Sequence, residues 1–119
     1  MARSAAAVLE DHLRLRALGD IETDLARNYA QDVALLCNYG TFHGLDAIRY
    51  SAKRLSEQLP HARFEYLNHQ LVDDVGFLEW RATSDRYQVA DGADSYVFNE
   101  DGLIRAQTIH YTLSEPQAD

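Results

Sequence analysis

The stretch Asp91-Gly92-Ala93-Asp94-Ser95-Tyr96-Val97-Phe98-Asn99-Glu100-Asp101-Gly102-Leu103-Ile104 sets aromatic and branched residues between two acidic, glycine-containing clusters. Asp91-Gly92 and Glu100-Asp101-Gly102 carry the chemistry of tight turns, because glycine reaches positive φ freely and aspartate bonds its own following backbone. The same grammar continues outward. Phe64 to Val72, Val75 to Val89, Asp94 to Asn99 and Leu103 to Leu113 read as strands, with Asp73-Asp74 as a further turn. Consecutive strands joined by short turns predict an antiparallel meander.

Upstream the period changes to that of a helix. Ser4 is placed to cap a segment on which Ala5, Val8, Leu9, His12, Leu13 and Arg16 share one face. Gly19 ends it, and Asp20 caps a second helix presenting Ile21, Leu25 and Tyr29. Val33 to Cys37 suits a short strand, followed by turn residues Asn38, Tyr39 and Gly40. A third helix follows Gly44, with Leu45, Ile48, Ala52, Leu55 and Leu59 on one side and Pro60 as its stop. Helices first and strands afterwards predict an α+β fold with the helices on one sheet face. A length of 119 residues fits one domain, with a core from about Val8 to Leu113 and a polar tail over 114–119.

Eleven basic against nineteen acidic residues give a net charge of −8, and Lys53 is the only lysine. Such a surface repels phosphate backbones and anionic lipid, so neither nucleic acid nor membrane is an expected partner. One cysteine, Cys37, excludes an internal disulfide and a cysteine-rich zinc module. The five histidines (His12, His43, His61, His69, His110) form no ligand pair at a recognised spacing, and no glycine-rich phosphate loop is present, so no metal and no cofactor are expected. Apolar runs are too short for a membrane span, and Met1 to Leu9 meets Glu10 and Asp11 too early for a signal-peptide core. The expected compartment is cytoplasmic.

The helix-Gly19-Asp20-helix opening, Tyr29-Ala30-Gln31-Asp32-Val33, and Thr41-Phe42-His43-Gly44 leading into Leu45-Asp46-Ala47-Ile48 have a familiar order and spacing. With Leu78-Glu79-Trp80-Arg81-Ala82, Asp91 to Phe98 and Asp101-Gly102-Leu103-Ile104, they resemble the SnoaL-like branch of the nuclear transport factor 2-like superfamily. The resemblance runs from about Val8 to Leu113. It implies a cystatin-like α+β cone, a curved antiparallel sheet wrapped around three N-terminal helices, with a ligand pocket at the open end. The superfamily includes steroid isomerases, polyketide cyclases, epoxide hydrolases, dehydratases and non-catalytic binding proteins, so fold leaves chemistry open.

Asp94 shares a strand face with Tyr96 and Phe98, and a carboxyl among aromatics is pushed towards its neutral form. The resemblance to steroid isomerases implies a protonated acid here, donating to a developing enolate; the alternative is a turn residue facing water. His12 lies in the apolar stripe of the first helix, where the resemblance places the second member of an oxyanion pair; an imidazole there donates a hydrogen bond or shuttles a proton. Its plain alternative is a buried histidine bonded to a carbonyl. For the Leu78–Ala82 strand, hydrophobic alternation alone sends Trp80 to the core, whereas the resemblance implies that Glu79, Arg81 and Thr83 line the pocket. In that register, which the reading favours slightly, Leu78 and Trp80 face outward as a dimer contact.

In the last strand Leu103, Arg105, Gln107, Ile109 and Tyr111 are expected to face the pocket. Ile109 stands where SnoaL-type cyclases and epoxide hydrolases carry a catalytic aspartate, and Cys37 and Asn38 stand where steroid isomerases carry their base. The expected catalytic set is Asp94, His12 and Glu79, and the expected ligand contacts are Tyr29, Asn38, Phe77, Arg81, Tyr96, Phe98, Gln107 and Tyr111. The function this implies is acid/base isomerisation, dehydration or cyclisation of a compact apolar molecule with a carbonyl or hydroxyl, in a homodimer formed through the outer sheet face. The alternative is a non-catalytic ligand-binding or dimeric assembly module.

Overall fold

A computed structural model describes residues 3–116. Three helices, α1 (Ala5–Ala17), α2 (Ile21–Asn28) and α3 (Leu45–Gln58), accompany six strands. The strands are β1 (Tyr29–Cys37), β2 (Gly40–His43), β3 (Arg63–Val72), β4 (Val75–Thr83), β5 (Gln88–Phe98) and β6 (Ile104–His110). Ser4 and Asp20 cap α1 and α2 as their chemistry predicts, accepting hydrogen bonds from the Ala7 and Thr23 amides at 3.1 Å each. Tyr29 does not extend the α2 face. Its backbone is already extended, and it opens β1.

The sheet order is β2-β1-β6-β5-β4-β3. The expected antiparallel meander is β3 to β6, while β1 joins β6 in parallel and β2 folds back on β1. The α+β class holds, with a mixed sheet in place of a wholly antiparallel one. The β1–β2 hairpin goes beyond the sequence expectation, which has only a turn at Asn38 to Gly40. Register slips bend the sheet in β1 between Tyr29 and Ala34, in β3 at Leu67, in the β4–β5 pairing beside Trp80, and in β6 at Arg105. The helices bury Val8, Leu9, Leu25 and Ile48 in one core with Leu35, Leu78, Trp80, Tyr96 and Phe98.

Two expectations are corrected. The β4–β5 turn is at Ser84 to Tyr87, where the Ser84 hydroxyl accepts from the Arg86 and Tyr87 amides at 3.2 and 3.0 Å. Asp91-Gly92 instead lies within β5. Gly92 pairs with Trp80, and a Cβ on it would stand 2.3 Å from the indole and 2.7 Å from the Trp80 carbonyl oxygen. The glycine is there for space under Trp80, not for a turn. The expected polar tail is also anchored in part, because Ser114 exchanges two backbone hydrogen bonds with Gln88, at 2.8 and 2.9 Å. Residues 117–119 of that tail lie outside the described residues.

Gly92→Ala should therefore destabilise the fold by about 3 kcal/mol, at the upper end of overpacking effects. Gly76→Ala, whose Cβ would meet Phe98 at 3.4 Å, should lose about 1 kcal/mol or less. Urea denaturation of the two variants beside the parent checks the ranking, and equal losses would contradict it.

Candidate active site

Burial along β4 alternates strictly. Gly76, Leu78, Trp80 and Ala82 face the core, whereas Val75, Phe77, Glu79, Arg81 and Thr83 face out. This corrects the register favoured from the resemblance, and it removes Glu79, Arg81 and Phe77 from the interior. The physical reason is the desolvation of two charges, which a pocket register would demand while exposing Trp80. On the outer face Arg81 pairs with Glu65 at 2.9 Å and Glu79 accepts from Asn68 at 3.1 Å, both in contact with water. Leu78 and Trp80 accordingly cannot serve an outer contact. The apolar residues exposed on that face include Val72, Val75 and Phe77, with Leu36 further along the sheet.

The inward face of the sheet meets α1 and α2 across a closed ring of polar side chains. Asp94 and His12 are 9% and 3% exposed. Asp94 Oδ1 accepts from the Trp80 indole N–H at 3.0 Å, and Oδ2 accepts from the Gln107 amide at 3.2 Å. The Gln107 carbonyl accepts from the Tyr29 hydroxyl, whose oxygen accepts from Arg16 Nη2 at 3.3 Å. Arg16 Nε donates to Asp24 Oδ2 at 2.7 Å, and Asp24 Oδ2 also receives His12 Nδ1 at 2.8 Å. His12 Nε2 lies 3.1 Å from the Tyr96 hydroxyl, which is 3.4 Å from Asp94 Oδ2 and completes the circuit.

The protons follow from these contacts. Burial would raise the Asp24 pKa, but the His12 hydrogen bond, the Arg16 charge and Asn28 Nδ2, at 2.8 Å, outweigh it and hold the group below the usual carboxylate range. His12 is shifted down, towards neutrality, by burial. Nδ1 then carries its hydrogen towards Asp24, and Nε2 accepts from the Tyr96 hydroxyl. With Asp94 ionised, Nε2 and the Asp94 carboxylate compete for that single hydrogen. With Asp94 protonated on Oδ2, its O–H faces the Tyr96 oxygen, and the Tyr96 hydrogen goes to His12 Nε2 without competition. Burial pushes the Asp94 carboxyl up to about 6, although Trp80, Gln107, Arg16 and Tyr96 all pull it down.

A cavity of about 140 Å³ opens on this ring. Its polar wall is His12, Arg16, Asp94 and Tyr96, and its apolar wall includes Leu13, Leu55, Leu78, Trp80 and Ile109, with Phe64 and Tyr66 of β3 beside them. β6 keeps Gln107 and Ile109 on the inner side as expected, but the slip at Arg105 turns that side chain out and Ile104 in. Tyr29 and Phe98 are buried around the cavity and do not line it. Asn38 and Tyr111 lie elsewhere, in a separate polar pocket of about 240 Å³ beside Arg54 and Gln58. The expected contacts therefore divide: Asp94, His12, Tyr96, Gln107 and Tyr29 meet in the ring, and the others do not. Sequence reasoning missed Arg16, Asp24 and Trp80 as parts of the site, although Arg16 follows His12 at i+4 on the stripe it identified. Among the described residues, no group of three or more His, Cys, Asp or Glu is placed to hold a metal, and no helix is long and apolar enough to cross a membrane.

A bent sheet over three helices with a buried polar layer at the opening defines an α+β cone of the nuclear transport factor 2 kind. The SnoaL-like domain matches over residues 9–107, and the chain belongs to that family. A steroid delta-isomerase from Pseudomonas aeruginosa is similar, with TM-score 0.75, 20% identity, and coverage of 91% of this chain and 79% of that one. A nuclear transport factor 2-like protein of unknown function from Mesorhizobium loti has TM-score 0.75 and 17% identity over 91% and 90% of the two chains. A de novo designed protein with a curved β-sheet has TM-score 0.74 and 18% identity over 94% and 88%. No curated protein matches the chain.

The ring makes a pH signature. The Asp94 carboxyl has a folded pKa of about 6 against an ordinary 3.8, so between these values the folded chain holds a proton that the unfolded chain has lost. Its contribution to stability is fully present below about pH 4 and falls by about 3 kcal/mol as pH rises through about 6. The stability of Asp94→Asn relative to the parent should rise by about that amount between about pH 4 and 7. Urea titrations at both pH values check this, and a difference independent of pH would contradict it.

Proposed function

We propose that the chain is an acid/base catalyst that moves a proton on a compact, largely apolar carbonyl or hydroxyl compound, by isomerisation, dehydration or cyclisation. One observation carries the reading: a buried carboxyl in a cavity wall, where desolvation pushes it up to about 6. Such a group takes and returns protons at working pH, which is the requirement for a general base that becomes a general acid. Asp94 Oδ1 receives only the Trp80 hydrogen bond and keeps a lone pair for substrate. The proton it removes from carbon stays on Oδ1, while Oδ2 keeps its contacts with Gln107 and Tyr96, and returns to a different substrate atom. Arg16 lines the same cavity and supplies positive charge to an oxyanion developing there. The position expected for a SnoaL-type aspartate, Ile109, pairs directly with Asp94 across β5 and β6. The two positions therefore share one face of the sheet.

The size bounds the substrate. A cavity of about 140 Å³ holds a body about the size of benzene. The proposal includes a homodimer through the outer face at Val72, Val75 and Phe77, and a cytoplasmic protein. A second reading, a non-catalytic binder, draws on the ring being closed upon itself, since internally satisfied groups need no substrate.

Cyclohexanone and cyclopentanone in deuterated buffer separate the readings. The parent should speed exchange of the hydrogens next to the carbonyl, as read by NMR. Asp94→Asn should lower that rate at least about 100-fold, and Glu79→Gln on the outer face should leave it unchanged. Ketones that bind without exchanging would favour the binder, and an Asp94→Asn variant exchanging like the parent would remove Asp94 from catalysis.

A further inference from the structure

We propose that the ligand of this pocket is an amphipathic carboxylic acid, with its apolar body in the inner cavity and its carboxylate at the mouth, between Arg16 and Lys53. The inference rests on the inner cavity being the ligand site, and it adds the substrate class. At about 140 Å³ that cavity is below the roughly 300–1,000 Å³ of typical small-molecule sites. A second hollow of about 550 Å³ adjoins it, and Arg16, Leu55 and Phe64 line both. On this proposal the larger hollow is the entrance to the smaller one, and the two together reach the usual size.

The entrance is cationic, in a chain of net charge −8. Arg16, Arg49 and Lys53 line it against one carboxylate, Glu22. Arg49 is already committed, with both Glu22 oxygens at 2.9 Å and Asp46 at 2.6 Å, so Glu22 is neutralised as well. Lys53, the sole lysine, forms no ion pair among the described residues. Arg16, 24% exposed, commits Nε to Asp24 and Nη2 to Tyr29, and its Nη1 hydrogens have no protein partner among the described residues. The donors left unspent thus border an opening whose floor is apolar, with Ile21, Leu55, Leu59 and Phe64. A neutral ligand would satisfy the floor and leave those donors unused, whereas a carboxylate satisfies both.

Titration calorimetry at low salt with 3-phenylpropanoate and 3-phenylpropan-1-ol, equal in body and different in charge, tests this. The acid should bind at least about tenfold more tightly than the alcohol, and added salt should narrow the ratio. Lys53→Glu, an exposed change outside the ring, should weaken the acid about tenfold and leave the alcohol unchanged. Equal affinities, no measurable binding of the acid, or an unchanged ratio in Lys53→Glu would overturn the proposal. Ketone exchange that fails while the ratio persists would remove catalysis and keep the acid site; the converse would remove only the acid site.

Discussion

A carboxyl group taken out of water destabilises a fold unless each oxygen is met by a donor, and Asp94 is held in that condition by three different strands. Trp80 reaches it from β4 and Gln107 from β6, while Tyr96 stands two residues further along β5 itself. These contacts require Trp80 to lie inward, which in turn requires a residue without a side chain opposite it. Gly92 meets that need. The slip at Arg105 does the corresponding work in β6, allowing Ile104 and Gln107 to face the interior together. Register, bend and glycine placement are thus consequences of one desolvated group that must remain hydrogen-bonded.

The helical side answers the sheet with charge. His12 and Asp24 occupy buried positions of α1 and α2 that apolar residues would otherwise take. Asp24 is fully buried and ionised, with His12, Arg16 and Asn28 all directed at it. Removing any one partner would leave part of that charge uncompensated, so the layer behaves as a unit. Arg16 is where the unit touches solvent. Burial works against its charge, but the Tyr29 hydroxyl and the Asp24 carboxylate beside it more than offset this and keep the guanidinium protonated.

The elements were legible because caps, stops and turns are local. Ser4, Asp20, Gly19 and Pro60 announced the helices, and Asp73-Asp74 and Glu100-Asp101-Gly102 announced two of the hairpins. Asp91-Gly92 misled because its composition is that of a turn, while its role depends on an indole twelve residues away. The parallel β1–β6 pairing is also non-local, joining strands separated by most of the chain, and no turn residue records it. In the site, Asp94, Tyr96 and Gln107 were visible through alternation, and His12 through the helical stripe. Asp24 was not, because an aspartate among Ile21, Leu25 and Asn28 on one helix face reads as an exception until its partners are known. For β4, simple alternation of apolar residues was the better guide, because burying Glu79 and Arg81 would have required partners that the interior does not provide.

A designed protein with no natural history adopts this curved shell with a TM-score of 0.74, so the shell by itself selects no chemistry. The chemistry rests on the polar layer, in which Asp94 has Ile109 as its cross-strand neighbour. Cross-strand partners on one face project side chains about 5 Å apart, so Asp94 and Ile109 face the same hollow. The Asp94 carboxyl meets the Trp80 indole and the Tyr96 hydroxyl, and through Tyr96 it is tied to His12 and the charged pair behind it. A base linked in this way stands near neutrality because burial raises its pKa while the Trp80, Gln107 and Tyr96 hydrogen bonds and the Arg16 charge draw it back.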